Sequence, residues 1–232
     1  MGTTRDDLHR VAAHVLGRRR FGVSGHFGLR ASPGGLATPA FGPEPEVLRL
    51  DGTTLVRETG TTAHCRHLVG ASLAELAAFA GTDLASEFSA GPGMPVLGAT
   101  DQPLELSADE LEGISAWFDL GWRVLDAVLA GAPEGAARST VQLWPEHFDV
   151  GTSLDLGAAG GGAVNLGFSA GDAFCDEPYV YVGPWGPERP EPPDEAGYWN
   201  APFGAAVPRT AAGDAASCRA FIERGLRALA GG

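Results

Sequence analysis

Apolar and polar residues alternate most regularly between Phe148 and Leu156. The apolar side chains fall on even positions, whereas the odd positions carry Asp149, Gly151, Ser153 and Asp155. Such alternation is typical of a β-strand with one buried face. After a glycine-rich stretch the same parity returns at Val164, Leu166 and Phe168. The pattern therefore predicts an antiparallel hairpin with a flexible tip.

One register of this hairpin places apolar residues opposite apolar residues and polar opposite polar. Its facing pairs are Leu154 with Val164, Val150 with Phe168, Asp149 with Ser169, and Ser153 with Asn165. His147 and Asp149 are two residues apart, so they share the polar face of an extended strand. That face is either the wall of a binding pocket or the wet side of an antiparallel sheet.

Helical spacing appears in four other stretches. It predicts helices over 4–17, from the capping box at Ser72 to about Ala80, from the capping box at Ser107 to about Leu129, and from Asp214 to about Ala230. The Arg18–Arg20 run is expected to end the first helix, where cations suit the helix dipole.

Further strands are expected on either side of the turn at Asp51-Gly52, near His26–Arg30 and at Tyr179–Val182. Because strands outnumber helices and do not alternate with them, the chain is predicted to be α+β. We expect a curved antiparallel sheet flanked by three or four helices in a single integrated domain, 1–232. The Gly/Pro-rich loop 91–103 is the candidate subdomain boundary.

The balance of charge limits the classes of function. With 29 acidic and 16 basic residues, the chain has a net charge of −13. Nucleic-acid surfaces and anionic membranes need clustered positive charge, so neither is an expected partner. Every basic residue is arginine. The lack of lysine excludes a Schiff-base lysine and a Walker A loop, and no dinucleotide fingerprint follows a strand, so no cofactor is expected.

The three cysteines lie far apart in the sequence at positions 65, 175 and 218. An odd, sparse set without a signal sequence favours a reducing, cytoplasmic setting. His64, Cys65 and His67 are close in sequence, but on a strand His64 would face away from the other two. A zinc site here is disfavoured because the local sequence lacks third and fourth ligands.

Three segments resemble an uncharacterised family of actinobacterial proteins. They are HFGLRASPGGL at His26–Leu36, VQLWPEHFDVGTS at Val141–Ser153, and GDAFCDEPYVYVGPW with YWNAPFGA within Gly171–Ala205. The LWPEHFD and NAPFG signatures are the most distinctive, and a domain-of-unknown-function family is more distantly similar. The resemblance implies one integrated domain and supplies no catalytic residues.

The candidate site is centred on His147. Asp149 would orient its imidazole, and Glu146 would supply an acid. The candidate ligand-binding residues are Trp144, Ser169, Asp172, Tyr179, Tyr181, Trp185, Trp199 and Asn200. A metal held by His147, Asp149 and a carboxylate from Asp172, Asp176 or Glu177 is a weaker alternative.

Two functions are compatible with these residues. The first is a small-molecule-binding protein that acts as a cofactor-independent enzyme, with His147 as general acid/base. The second is a non-catalytic module that holds a ligand or a protein through the Pro-rich acidic loop after Trp185, for which a homodimer is a possible assembly. Serine hydrolase chemistry is disfavoured, because Ser153 would lie about 20 Å from His147 along an extended strand and Ser169 has no nucleophile-elbow context.

Overall fold

The computed structural model describes residues 3–132, 136–156, 162–185 and 197–230. Its helices are α1 (Thr4–Val11), a π-helix (Ala12–Gly17), α2 (Arg18–Ser24), α3 (Leu73–Ala80), α4 (Ala108–Ala130) and α5 (Ala215–Leu229). Its strands are β1 (Arg30–Ser32), β2 (Gly35–Ala37), β3 (Glu46–Asp51), β4 (Thr54–Thr59), β5 (Thr62–His67), β6 (Gln142–Trp144), β7 (Asp149–Asp155), β8 (Ala163–Ser169), β9 (Tyr179–Trp185) and β10 (Ala205–Pro208).

The strands form two antiparallel sheets of five strands each. The first has the order β1-β2-β3-β4-β5, and the second has the order β10-β9-β8-β7-β6. Neighbours in sequence are neighbours in each sheet, as is common for antiparallel strands. The predicted α+β class is confirmed, with two sheets where one was expected.

The chain divides into two compact units. The first comprises residues 1–119 and 143–148, and the second comprises residues 120–142 and 149–232. The predicted boundary at 91–103 lies inside the first unit. The single integrated domain stays a prediction.

The first unit begins with a helical stretch that runs further than predicted. Thr3 caps α1 with a full capping box, and the stretch continues to Ser24, where Gly25 adopts a left-handed φ of 72°. The prediction that Arg18–Arg20 ends the helix was wrong. Arg18 is buried and donates to the carbonyls of Asp83, Leu84 and Ser86. It therefore anchors the loop after α3 and does not lie at an exposed helix end.

The first sheet has an apolar core, and an ion pair links its edge strand to α3. Leu48, Leu50 and Leu55 are fully buried in β3 and β4. On the edge, every residue of β5 is exposed, and Arg66 reaches Glu75 of α3 at 2.6 Å. His64, Cys65 and His67 lie on this edge strand, with His64 facing Arg57 and Cys65 facing Val56. On this strand His64 points to the opposite face from Cys65 and His67, so the three do not share one face, as predicted.

The second unit contains the central hairpin in the predicted register. Val150 faces Phe168, Leu154 faces Val164, Asp149 faces Ser169, and Ser153 faces Asn165. The even face of β7 and β8 is fully buried at Val150, Val164, Leu166 and Phe168. A Cβ on Gly121 of α4 would lie 2.6 Å from the Phe168 ring, so the glycine allows helix and sheet to approach closely. The predicted hairpin is confirmed.

Candidate functional site

The odd face of the hairpin is buried at its Asp149 end. Asp149 is 6% exposed and Ser169 is 3% exposed, although both lie on the polar side of their strands. Further along the same face Asn165 is exposed and Ser153 is half-buried. The wet-face alternative is therefore wrong at the Asp149 end and correct at the Ser153 end. A buried carboxylate is costly unless it is paired or protonated, so this end needs a specific explanation.

Tyr181 of β9 covers Asp149 by reaching across β8. It pairs in register with Gly167, and a Cβ on Gly167 would lie 2.4 Å from the Tyr181 hydroxyl. Because Gly167 has no side chain, the phenol lies flat over β8. Its hydroxyl donates to Asp149 Oδ2 at 2.5 Å. The second oxygen, Oδ1, is buried with no hydrogen-bond partner among the described residues.

Burial changes the proton affinity of this pair. Loss of solvent raises the pKa of Asp149 to about 6, with the Tyr181 hydrogen bond opposing the shift and the nearby Asp172 charge adding to it. The pKa of Tyr181 is also raised well above its ordinary value, by burial and then by the Asp149 charge. Asp149 therefore exchanges a proton near neutral pH while Tyr181 keeps its own.

A second tyrosine and carboxylate lie beside the first pair. Tyr179, in the same sheet row as Asp149 and Ser169, donates to Asp172 Oδ2 at 2.7 Å. Asp172 also accepts backbone N–H groups of Phe174 and Cys175 through Oδ1, which fixes the loop after β8. Burial, together with the Asp172 hydrogen bond, raises the pKa of Tyr179.

Aromatic rings form the outer layer of the cluster. Phe203 lies 6.0 Å from the Tyr181 ring and 5.0 Å from the Phe174 ring, and Phe174 is 43% exposed. Tyr179 and Tyr181 lie 6.2 Å apart, centroid to centroid. The aromatic rings thus cover a set of polar groups, and apolar surface around a few polar groups is one feature of small-molecule sites. We call Asp149, Ser169, Asp172, Tyr179 and Tyr181 the Asp–Tyr cluster.

The first unit contains the turn that precedes Asp149 in sequence. Phe148 has a left-handed φ of 54°, the one positive value for a non-glycine residue in the described chain, and its N–H donates to the Trp144 carbonyl at 2.8 Å. Such backbone strain is frequent at functional sites. The His9 ring stacks on Phe148 with centroids 4.9 Å apart, and its Nε2 lies 2.9 Å from the Pro145 carbonyl.

The predicted catalytic residues Glu146 and His147 lie in this turn. Glu146 is buried and His147 is exposed. A Cβ on Gly93 would lie 2.8 Å from His147 Nδ1, so the imidazole rests against the backbone of the 91–103 loop. Trp144 is half-buried at the end of β6. Of the three predicted catalytic residues, Asp149 is the one that belongs to the Asp–Tyr cluster.

Three other predicted ligand-binding residues lie elsewhere in the second unit. Trp185 is 48% exposed at the end of β9. Asn200 holds β10 by exchanging two hydrogen bonds with the backbone of Ala206, at 2.9 and 3.0 Å. Trp199 packs edge-on against Tyr198, with ring centroids 4.8 Å apart. Asn200 and Trp199 thus serve the packing of the segment before β10.

Sequence reasoning missed the residues that shape the cluster, namely Gly167, Phe174 and Phe203. The signal was present in part, because the predicted hairpin put Gly151 opposite Gly167. Two facing glycines on one sheet face leave room for a large side chain from a neighbouring strand. The pairing of β8 with β9 was needed to identify Tyr181 as that side chain.

In the ranges described, no group of three or more His, Cys, Asp or Glu side chains could hold a metal ion. None of the helices in those ranges is long and apolar enough to cross a membrane.

Comparison of the chain with protein-family models, with curated proteins and with solved structures found no match. The resemblance to an actinobacterial family stays a prediction.

Proposed function

We propose that the protein binds a small molecule on the aromatic face above the Asp–Tyr cluster and moves a proton to or from it through Asp149, without a cofactor. One observation carries the proposal: a buried carboxyl group is held by Tyr181 through one oxygen, and its other oxygen has no hydrogen-bond partner among the described residues. Burial raises the pKa of this group to about 6. General acid–base catalysis works best when the pKa of the group lies near the working pH.

The two members of the pair have different roles. Asp149 is the group that accepts or releases the proton. Its Oδ2 is held by Tyr181 and its Oδ1 is buried, so the Tyr181 ring must move before a ligand on the aromatic face exchanges a proton with it. Tyr181 fixes the carboxylate and stabilises its charged form by donating a hydrogen bond. The aromatic rings of Phe174 and Phe203 favour a flat, apolar substrate with an acidic C–H or O–H group.

His147 as general base is the rival assignment within the same function. It is exposed and rests against Gly93, whereas Asp149 is buried and held by Tyr181. Preorganisation and a pKa near neutrality support Asp149 as the proton carrier. Replacing His147 by Asn separates the assignments, since turnover is expected to survive if Asp149 alone carries the proton.

The test begins with native mass spectrometry of protein purified without chelator, which reveals any retained ligand. Proton NMR in deuterated buffer then follows small ketones, 1,3-dicarbonyl compounds and aromatic esters for exchange or cleavage. We expect Asp149→Asn to lower turnover by about 10²- to 10⁴-fold, the usual contribution of an acid–base group. Asp155→Asn, an exposed carboxylate at the other end of β7, is the matched control. Turnover that persists in Asp149→Asn contradicts the proposal.

A non-catalytic binding module is the second candidate. The exposed rings of Phe174 and Trp185 favour it, since exposed aromatic side chains often mark contact surfaces. The Pro-rich acidic loop invoked for this function falls on residues 186–196, which lie outside the described residues. If this candidate is correct, the protein shows no turnover, and Asp149→Asn retains the ligand as the parent does. Both candidates include a cytoplasmic location.

A further inference from the structure

A separate cavity lies in the second unit at the far end of β7 from Asp149. Its volume is about 650 Å³, within the range of about 300–1,000 Å³ that is usual for small-molecule sites. Residues of the C-terminal ends of α4, β7 and α5 line it. Asp149 begins β7 and Leu154 is near its end, so about 17 Å of extended strand separates the two.

Small side chains keep this space open. Leu154 and Leu226 supply apolar walls, while Ala132 lies where a larger residue would fill the gap. Leu154 faces the interior and is 3% exposed, and Leu226 is half-buried. The cavity is open to solvent on the side of the exposed residues Asp155, Arg219 and Arg227, and its volume gives room for a small ligand.

Charged residues of α5 stand along one side of the cavity. Arg219, Glu223 and Arg227 are spaced by four residues, so they lie on one face of the helix. Glu223 Oε1 accepts from Arg219 at 2.6 Å, whereas its Oε2 lies 3.9 Å from Arg227. The one carboxylate is thus committed to Arg219. The Arg227 guanidinium, 69% exposed, retains donors for another anion.

From this arrangement we propose that the cavity binds a small amphipathic anion, with an apolar body against Leu154 and Leu226 and a carboxylate at Arg227. The apolar walls exclude a fully polar metabolite, and the incompletely paired cation selects an acidic head over a basic one. Asp155 also borders the cavity and has an interaction partner of its own. The site is independent of the Asp–Tyr cluster, so either proposal can fail alone.

Isothermal titration calorimetry on the full chain with decanoate tests the proposal. We expect one site with a Kd on the order of 10–100 μM, given the ligand's size. Decyltrimethylammonium, with the same apolar body and the opposite charge, should bind at least about 10-fold more weakly, since a like charge opposes binding at Arg227.

Variants locate the site. Arg227→Gln should weaken decanoate about 5-fold, the effect of losing an exposed ion pair, and Arg66→Gln in the first unit is the matched control. Leu226→Trp should abolish binding by filling the cavity, with Ala132→Phe as a second filling variant. Melting temperature establishes that each variant is folded. The proposal is overturned if decanoate does not bind, if decyltrimethylammonium binds equally well, or if a folded cavity-filling variant binds decanoate as the parent does.

Discussion

Two ends of one hairpin face carry the same kind of residue and have opposite environments. Asp149 faces Ser169 at one end, and Ser153 faces Asn165 at the other. At the first end both residues are buried, and the carboxylate is held by a tyrosine from the next strand. At the second end Ser153 donates to Asn165 Oδ1 at 2.5 Å, close to solvent.

Strand β9, which pairs with β8, causes the difference in burial between the two ends. The row of Gly167 continues into Tyr181, whose ring covers the face toward Asp149. The row of Asn165 continues into Gly183, which has no side chain to cover it. The same polar pattern therefore yields a buried, proton-active carboxyl at one end and an ordinary wet surface at the other.

Displacing the Tyr181 ring should have the largest effect on the difference between the two ends of the hairpin face. Gly167→Ala adds a Cβ within 2.4 Å of the phenol, so the ring must move and release Asp149. We expect a loss of about 3 kcal/mol in the free energy of unfolding, at the upper end of overpacking effects. Urea denaturation measures it. Gly183→Ala is the control, because its nearest contact is 3.4 Å and ordinary; equal losses would show that the Tyr181 contact is unimportant.

Neutralising the buried carboxylate should change the pH dependence of stability. A pKa raised to about 6 means that the folded state holds the Asp149 proton more tightly than the unfolded chain. The resulting stability is present below about pH 4 and is lost as pH rises through about 6. Over that window the parent should lose about 3 kcal/mol relative to Asp149→Asn, as follows from a shift of about two pKa units.

The difference in unfolding free energy between parent and variant has to be measured, because His9 in the first unit changes stability with pH in the opposite direction. Burial lowers the pKa of His9 to about 4. Its contribution is present above about pH 6.5 and is lost as pH falls through about 4. Subtracting the two unfolding curves at each pH removes the His9 contribution. A flat difference between pH 4 and 8 would contradict the raised Asp149 pKa.

Removing only the hydrogen bond should have a moderate effect. Tyr181→Phe leaves the ring in place and deprives Asp149 of its donor, so we expect a loss of about 2 kcal/mol at pH 8. The pKa of Asp149 should rise further, since that hydrogen bond favours the charged form. Tyr179→Phe is the comparison, because its partner Asp172 is exposed and water can replace the lost hydrogen bond to its Oδ2. An equal loss of unfolding free energy in both variants would contradict a role for the burial of Asp149.

A substitution at the solvent-exposed end should change stability very little. Ser153→Ala removes a hydrogen bond that water can replace, and we expect a change within about 0.5 kcal/mol. Thermal unfolding measures it. A loss as large as that of Tyr181→Phe would abolish the contrast between the two ends.

The sequence allowed the hairpin and its register to be predicted, because side-chain parity is a local property of a strand. Capping residues likewise located α3 through Ser72 and α5 through Asp214. The burial of Asp149 was beyond such reasoning, since it depends on the strand that pairs with β8. The extension of the first helix past Arg18 was missed for the same reason: Arg18 Nη1 donates to carbonyls 65, 66 and 68 residues away.

The most direct test is a ¹³C NMR titration of the side-chain carboxyl of Asp149 in the intact protein, assigned by its absence in Asp149→Asn. The account predicts a midpoint near pH 6, with a further rise in Tyr181→Phe. A midpoint at or below about 4, the value of a solvated aspartate, would contradict it. In that case Asp149 is an ordinary charged residue, and the proposed proton transfer loses its carrier.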